Sequence, residues 1–353
     1  MECTTKFNDF ITNISLTDEM KSELRKAYKQ LRANLNSHEI SKEIITTFLQ
    51  GSYARHTGVK PVDKEDKIDV DLVVVTRFDS QKITPRQALD AFIPFLEKYY
   101  KDKYRMQGRS IGINLGKCDI DLVPTAIPSS NLQKFFYEAF ENDEYSESFF
   151  KANATQKAFT EYLNKDDSWK NDPLKIPDRE AGKWDDTHPL AQIFWSQKKN
   201  QETNGVYIKM VRALKWWKKN FCLNADSIKS YPLEHFVGDC CPSRKDSLAN
   251  LITDVLKKIA SFNENIKPYL PDRGVPQHDV FGRVSENDYK NFILEVRKIS
   301  KKANEALLEA EPYKSSMLWR SIFGKEFPVY DEPTHQFTKR EEPSSPTKPS
   351  RYA

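Results

Sequence analysis

Apolar positions recur along this chain at two different periods. Met20, Leu24, Ala27, Leu31 and Leu35 form one stripe at helical spacing. Thr17-Asp18-Glu19 opens that stretch with acids at the end where a helix dipole favours them. Residues 44–49 are rich in β-branched side chains and predict a strand. Asp69-Val70-Asp71-Leu72-Val73-Val74-Val75 alternates at first and then turns wholly apolar, as a strand covered on both faces does. Residues 84–100 read as helix, with Pro85 tolerated in the first turn and Pro94 demanding a kink or break. Residues 105–115 and 117–123 read as further strands. Beyond about residue 130 the segments lengthen and become helical, over 157–163, 190–198, 205–220, 245–262 and 286–308. The expected fold is α+β: a small mixed sheet with helices over residues 1–130, a helical lobe over 131–330, and a cleft between them.

Composition narrows the class. A chain of 353 residues has room for two lobes or one large domain. Charged residues make up 30%, yet the net charge is only +4, too small an excess to argue for broad nucleic-acid binding. The sequence holds no apolar run of membrane-spanning length, and Met1-Glu2-Cys3-Thr4-Thr5-Lys6 lacks the apolar core of a signal peptide. Five cysteines show no paired spacing, so a reducing cytosol is expected. Residues 166–172 are charged and read as a surface loop. Residues 331–353 carry Pro333, Pro343, Pro346 and Pro349 among Ser, Thr, Lys and Glu, a composition that cannot bury enough apolar area to order itself.

The chemistry concentrates at Gln50-Gly51-Ser52 and the strand that follows. A Gly-Ser turn offers backbone N–H groups and a hydroxyl, which suit a phosphate. Asp69 and Asp71 are two residues apart on a strand and so share one face. Carboxylates held that close repel unless a cation lies between them, and Mg²⁺ satisfies them while sharing its coordination with substrate phosphates. Lys117-Cys118-Asp119-Ile120-Asp121 offers a further acid on one strand face, and periodicity does not choose between Asp119 and Asp121. Two metals about 3.5–4 Å apart clamp the attacking and leaving oxygens of an in-line displacement. The pattern therefore reads as nucleotidyl transfer. His235, Cys240 and Cys241 lack a fourth neighbour for a structural zinc site and read as a packed imidazole and buried thiols.

These motifs resemble the cGAS/DncV-like nucleotidyltransferases, a branch of the polymerase-beta-like superfamily that includes the OAS enzymes. The family pattern is Gly-Ser, then Asp-x-Asp, then a distant Asp followed by a short apolar pair. Asp121, with Leu122-Val123-Pro124, is the match. The resemblance extends through Gly108-Arg109-Ser110, Ile176-Pro177-Asp178-Arg179-Glu180, Thr187-His188-Pro189-Leu190, Arg212-Ala213-Leu214-Lys215-Trp216-Trp217, Tyr231-Pro232-Leu233-Glu234-His235 and Leu318-Trp319-Arg320. It looks most like the bacterial clade D enzymes of anti-phage signalling. The turn departs from the family's Gly-Ser-x-x-Arg-Gly-Thr by placing His56 where a Gly is common.

The resemblance implies a polymerase-beta-like sheet lobe, a helical C-terminal lobe and two Mg²⁺ ions, with Mn²⁺ as a substitute, on Asp69, Asp71 and Asp121. Gln50, Gly51, Ser52, Lys215 and Ser230 are implied on the nucleotide phosphates, and Tyr231 stacked on the base. Asp178, Arg179 and His188 either line the acceptor pocket or cap a helix. The remaining cations of the 205–220 helix read as a solvated face. ATP and GTP are the implied substrates and a cyclic di- or trinucleotide, such as cyclic AMP-AMP-GMP, the implied product. A HORMA-like activator, an effector that reads the product and a ubiquitin-conjugation-like enzyme acting on Ala353 are implied partners. A bacterial cytoplasmic enzyme, with no membrane and no nucleic-acid activator, completes the expectation. A linear template-independent transferase of OAS-like or tail-adding type would share the same acids, and a non-catalytic nucleotide-binding regulator is the alternative from another class.

Overall fold

A computed structural model describes residues 1–63, 66–134 and 172–333. The helix expected over 157–163, nearly all of the 166–172 loop, and the tail with Ala353 lie outside those residues. The sheet has five strands in the order β1-β2-β5-β4-β3. Its centre is the parallel pair β2 (Ile68–Thr76) and β5 (Cys118–Thr125). Strand β1 (Ile44–Gln50) pairs antiparallel with β2, while β4 (Ile111–Asn114) pairs antiparallel with β5 and with β3 (Tyr104–Met106). The central position of β2 explains its sequence. Leu72, Val73, Val74 and Val75 are all fully buried, and each such side chain contributes roughly 1.5–3 kcal/mol.

Helix α1 spans Thr4–Ile14 and α2 spans Asp18–Asn36. Thr17 caps α2 by accepting from the Met20 amide at 3.2 Å. Leu24, Tyr28, Leu31 and Leu35 of α2 pack on the sheet. After β1 comes α3 (Gly51–Ala54). The 84–100 stretch divides into α4 (Pro85–Asp90) and α5 (Ile93–Tyr99). Pro94 lacks the amide a continuous helix would need and its ring would crowd the carbonyl one turn back. The stretch expected as one strand over 105–115 is likewise divided, by a turn in which the Gln107 amide donates to the Ser110 carbonyl at 2.9 Å.

The second core is helical: α6 (Pro189–Glu202), α7 (Val206–Phe221), α8 (Ser230–Cys240), α9 (Leu248–Ala260), α10 (Glu286–Leu308) and α11 (Pro312–Phe323). Two features depart from the sequence reading. Helix α1 joins this core, where Phe7 meets Trp319 and Phe327 edge-on, both at 4.9 Å between centroids. A hairpin of β6 (Leu174–Asp178) and β7 (Lys183–Thr187) occupies a region expected to be helical in character. The sequence of β7, Lys-Trp-Asp-Asp-Thr, has no apolar alternation. It is tied in by ion pairs, Lys175 to Asp186 within the hairpin and Arg109 to Asp185 at 2.7 Å, and by Trp184, which packs on the sheet core and donates to the Ile83 carbonyl at 2.9 Å.

Charge joins the two cores. Arg55, just after α3, donates through Nε to Glu234 Oε1 of α8 at 2.7 Å, and both side chains are buried. Thr57 Oγ1 donates to Glu234 Oε2 at 2.8 Å. Burial opposes the Glu234 charge, but Arg55, Lys215 and these hydrogen bonds outweigh it and hold the carboxyl below its ordinary range. Removing one member of a buried pair strands the other charge, at about 3–5 kcal/mol. Glu234→Gln should therefore lower the melting temperature by several degrees in calorimetry. The double variant Arg55→Met/Glu234→Leu should lose less than the sum of the two single losses.

Candidate active site

The parallel register sets the acids side by side. Asp69 stands opposite Asp119, and Asp71 opposite Asp121. On both strands the alternate residues Ile68, Val70, Leu72, Cys118, Ile120 and Leu122 are buried in the sheet core, so the four carboxylates share the other face. Their repulsion is visible. Burial, then Asp69, then Asp121 push the Asp71 carboxyl up to about 7, against the pull of Arg55 and Lys215. Burial followed by Asp69 also raises Asp121, although a hydrogen bond from Gln107 and the charge of Arg105 oppose it. Asp119 is held differently. Its Oδ1 is buried without a hydrogen bond and lies 3.6 Å from Lys67 Nζ.

The Gly-Ser turn is fitted against this row. Gln50, the last residue of β1, pairs with Asp71 across the ladder. Gly51 has φ +69°, and a Cβ there would lie 1.8 Å from Asp71 Oδ2. Both the left-handed backbone and the contact demand glycine. Two residues after the Ala54 end of α3, His56 also has a positive φ, 59°. It thus keeps the backbone that glycine would adopt more cheaply, and its carbonyl accepts from Arg212 Nε at 2.8 Å.

Beside the turn lies a cavity of about 260 Å³ whose walls include Ser52, Asp69, Lys215 and Ser230. Lys67, Lys218, Lys219 and Lys229 also line it. Lys215 is buried. Burial lowers its pKa, while Glu234 and Asp69 favour the charged form. Lys218 and Lys219 therefore belong to the cavity and not merely to a solvated face, a placement that helical periodicity does not reveal. Tyr231 is separated from Ser230 in its surroundings. It lines an adjoining cavity of about 530 Å³, Arg55 lies over its ring at 5.1 Å, and its hydroxyl donates to Asp272 Oδ2 at 2.6 Å. Lys229 borders both cavities.

Of the residues expected either in an acceptor pocket or at a cap, His188 is the cap of α6 and accepts from the Ala191 amide at 3.3 Å. Asp178 accepts from the Ala181 amide at 2.8 Å and from Arg109 Nε at 2.9 Å, and these contacts lower its pKa despite burial. His235, Cys240 and Cys241 are buried, and burial pushes the two thiols up to about 12 and about 11 respectively. The residues that sequence reasoning left without a role are Thr57, Glu234 and Gln107. Thr57 and Arg55 sit at fixed offsets from Ser52, the one signal available in the sequence.

A divalent cation fits this donor set. Burial and the neighbouring carboxylates raise the pKa of Asp71 and Asp121, and a buried oxygen of Asp119 is without a hydrogen bond, with Lys67 Nζ 3.6 Å away. Among the described residues no three His, Cys, Asp or Glu side chains close a cage of their own. That suits a hard ion that shares its coordination with phosphates, and does not suit a closed structural site.

Paired acidic strands, a Gly-Ser turn and a lysine-lined cavity together define a nucleotidyltransferase. Residues 1–161 match the model of the Second Messenger Oligonucleotide or Dinucleotide Synthetase domain. Along its whole length the chain is 37% identical to the whole of the cyclic AMP-AMP-GMP synthase of Enterobacter hormaechei subsp. hoffmannii (strain UCI 50). Two solved structures share the fold. The cyclic AMP-GMP synthase DncV of Vibrio cholerae superposes with a TM-score of 0.68 at 13% identity, covering 93% of this chain and 96% of that one. CdnC of E. coli MS115-1, solved in a HORMA-deltaN complex, superposes with a TM-score of 0.64 at 13% identity, covering 92% and 98%. The chain belongs to the second messenger oligonucleotide or dinucleotide synthetases, the cGAS/DncV-like nucleotidyltransferases.

The raised pKa of Asp71 makes the metal-free enzyme pH-sensitive. A carboxyl whose folded pKa lies above its unfolded value of about 3.8 keeps a proton that the unfolded chain releases, so stability falls as pH rises from about 4 to about 7. Asp71→Asn should flatten this slope and raise the metal-free melting temperature at pH 8 by a few degrees, while abolishing activity. Scanning calorimetry of both proteins in chelator from pH 5 to 8 tests this. Gly51→Ala should also abolish activity, read as product formation, because its methyl would occupy the place of the Asp71 carboxylate.

Proposed function

We propose that this enzyme joins ATP and GTP into a cyclic trinucleotide, cyclic AMP-AMP-GMP, releasing pyrophosphate at each bond. The observation that carries the reading is the β2–β5 register, which lays Asp69 and Asp71 beside Asp119 and Asp121, with Asp69 on the wall of the lysine-lined cavity. The full-length relative named for that product supports the choice of bases and ring size.

In this reading the triphosphate lies in the cavity. The Ser52 hydroxyl and the amides after Gly51 contact its phosphates, with Ser230 also on the cavity wall. Lys215, fixed by burial, faces the charge that develops on the leaving pyrophosphate, and Lys218, Lys219 and Lys229 supply attraction around it. Asp69, Asp71 and Asp121 would hold divalent cations, Mg²⁺ or Mn²⁺, two in number. When bound, such ions neutralise the phosphates and make the acceptor hydroxyl more acidic. Gln107 occupies Oδ1 of Asp121, so the other oxygen of that carboxylate takes the hydroxyl proton. Tyr231 offers its ring to the base, pinned in orientation by Asp272.

The same reading places the enzyme in the bacterial cytosol. No described helix is long and apolar enough to cross a membrane. A HORMA-like protein regulates the enzyme, an effector reads its product, and a ubiquitin-conjugation-like enzyme joins Ala353 to other molecules.

Purified protein is incubated with all four labelled nucleoside triphosphates and Mg²⁺, with and without a HORMA-like protein, and then with phosphatase. A phosphatase-resistant product containing two adenines and one guanine, absent from Asp69→Ala/Asp71→Ala, is expected. Products with phosphatase-sensitive ends would indicate a linear transferase instead. Lys215→Met should lower kcat by about 10²–10³-fold if it faces the leaving group. Deleting Ala353 should leave product formation unchanged and abolish conjugation, read by mass spectrometry of the adduct.

A further inference from the structure

We propose that Gln107, held by Ser110 and given room by Gly112, is a positioning residue that orients Asp121 in the transferase reaction. The inference rests on the nucleotidyl-transfer reading and adds a part to it. Gln107 Nε2 donates to Asp121 Oδ1 at 3.2 Å. The Ser110 hydroxyl donates to Gln107 Oε1 at 2.7 Å. The carboxylate, an acceptor when ionised, calls for the NH₂ end of the amide, and the Ser110 hydroxyl, able to donate or accept, then donates to Oε1. A primary amide is well matched to this task. It donates to the carboxylate without adding a charge to a site already crowded with them.

The backbone has been shaped around the contact. Gly112 stands opposite Asp121 in the β4–β5 ladder. A Cβ at Gly112 would lie 2.6 Å from Gln107 Nε2 and 3.1 Å from Arg105 Nε. The space that glycine leaves is thus the space through which the amide reaches Asp121. The turn carrying Gln107 is itself fixed from the β6–β7 hairpin. The Arg179 amide donates to the Gly108 carbonyl at 2.8 Å, and Arg109 bridges Asp178 and Asp185. A chain of contacts therefore runs from that hairpin through the turn to one of the three acids. It also gives the run Gly108-Arg109-Ser110 a physical task.

The test compares Gln107→Ala, Ser110→Ala and Gly112→Ala with the wild type and with Asp121→Asn. Two readouts are taken: Mn²⁺ binding by electron paramagnetic resonance in the presence of a non-hydrolysable ATP analogue, and kcat and KM for product formation. Gln107→Ala should weaken Mn²⁺ binding or lower kcat by roughly 10–100-fold, the range typical when a group supporting a metal ligand is lost. KM for nucleotide should stay within about two-fold, since the triphosphate cavity is untouched. Gly112→Ala should reproduce the defect, and Ser110→Ala should show a smaller one in the same direction. In the Asp121→Asn background, Gln107→Ala should add nothing further to the loss of Mn²⁺ binding. Unchanged Mn²⁺ binding and kcat in Gln107→Ala, or a full additional loss in the Asp121→Asn background, would overturn the proposal. If Gln107→Ala fails to fold, Ser110→Ala and Gly112→Ala carry the same comparison. A wild type that neither binds Mn²⁺ nor forms product overturns the transferase reading itself, and this proposal with it.

Discussion

The buried pair of Arg55 and Glu234 is the contact on which the working geometry depends. One partner follows the Gly-Ser turn of the sheet lobe and the other lies on a helix of the second lobe. Hydrophobic contact alone would leave the two lobes free to settle over a range of orientations, since it is not directional. A buried ion pair tolerates little displacement, because separating the charges inside the protein leaves each without solvent or partner. Thr57 closes the second oxygen of Glu234, and Tyr231 covers the guanidinium of Arg55. Lys215 feels the same carboxylate. The Gly-Ser turn, the cavity lysine and the aromatic ring are therefore referred to one electrostatic anchor.

Against that anchor the protein sets a deliberate instability. Burial and the neighbouring carboxylates raise the pKa of Asp71 and Asp121, and the metal-free fold bears the cost. The sheet withstands it because the opposite face of each strand is packed into a core of fully buried aliphatic side chains. The lysines of the neighbouring cavity do not relieve the row completely. Arg55 and Lys215 oppose the rise of Asp71, and Lys67, Lys218, Lys219 and Lys229 line the cavity beside it. In the proposed function, repulsion among the acids and attraction in the cavity favour the same event, entry of a metal–triphosphate complex.

In the proposed function the two cavities that Lys229 borders divide the work of recognition. The smaller is dominated by cations and suits phosphate, which carries charge but no base identity. The larger is bordered by Tyr231, Gln192, Asp272 and His278, a set able to stack on and hydrogen-bond to a base. Lys229 and Ser230 sit immediately before Tyr231 in the chain, so one helix start serves both.

Much of this was legible without the structure. The acid pairs and the helix stripe of α2 arise from local rules: alternation on a strand and 3.6-residue periodicity. The break at Pro94 follows from a missing amide. Other features were decided only by tertiary contact. Periodicity could not choose between Asp119 and Asp121, because both face the same way, and their difference lies in neighbours brought from elsewhere, Lys67 for one and Gln107 for the other. Helix α1 is only 11 residues long, too short to be stable alone, and acquires its place through Trp319 and Phe327 more than 300 positions away. Strand β7 carries no apolar alternation, and its hairpin makes ion pairs that no local pattern encodes. The sequence by itself determined which chemistry this protein carries, because strand and turn geometry are properties of neighbouring residues. The tertiary structure decided which acid is supported, which lysines line the cavity and how the lobes meet, because those depend on charges paired across long separations of chain.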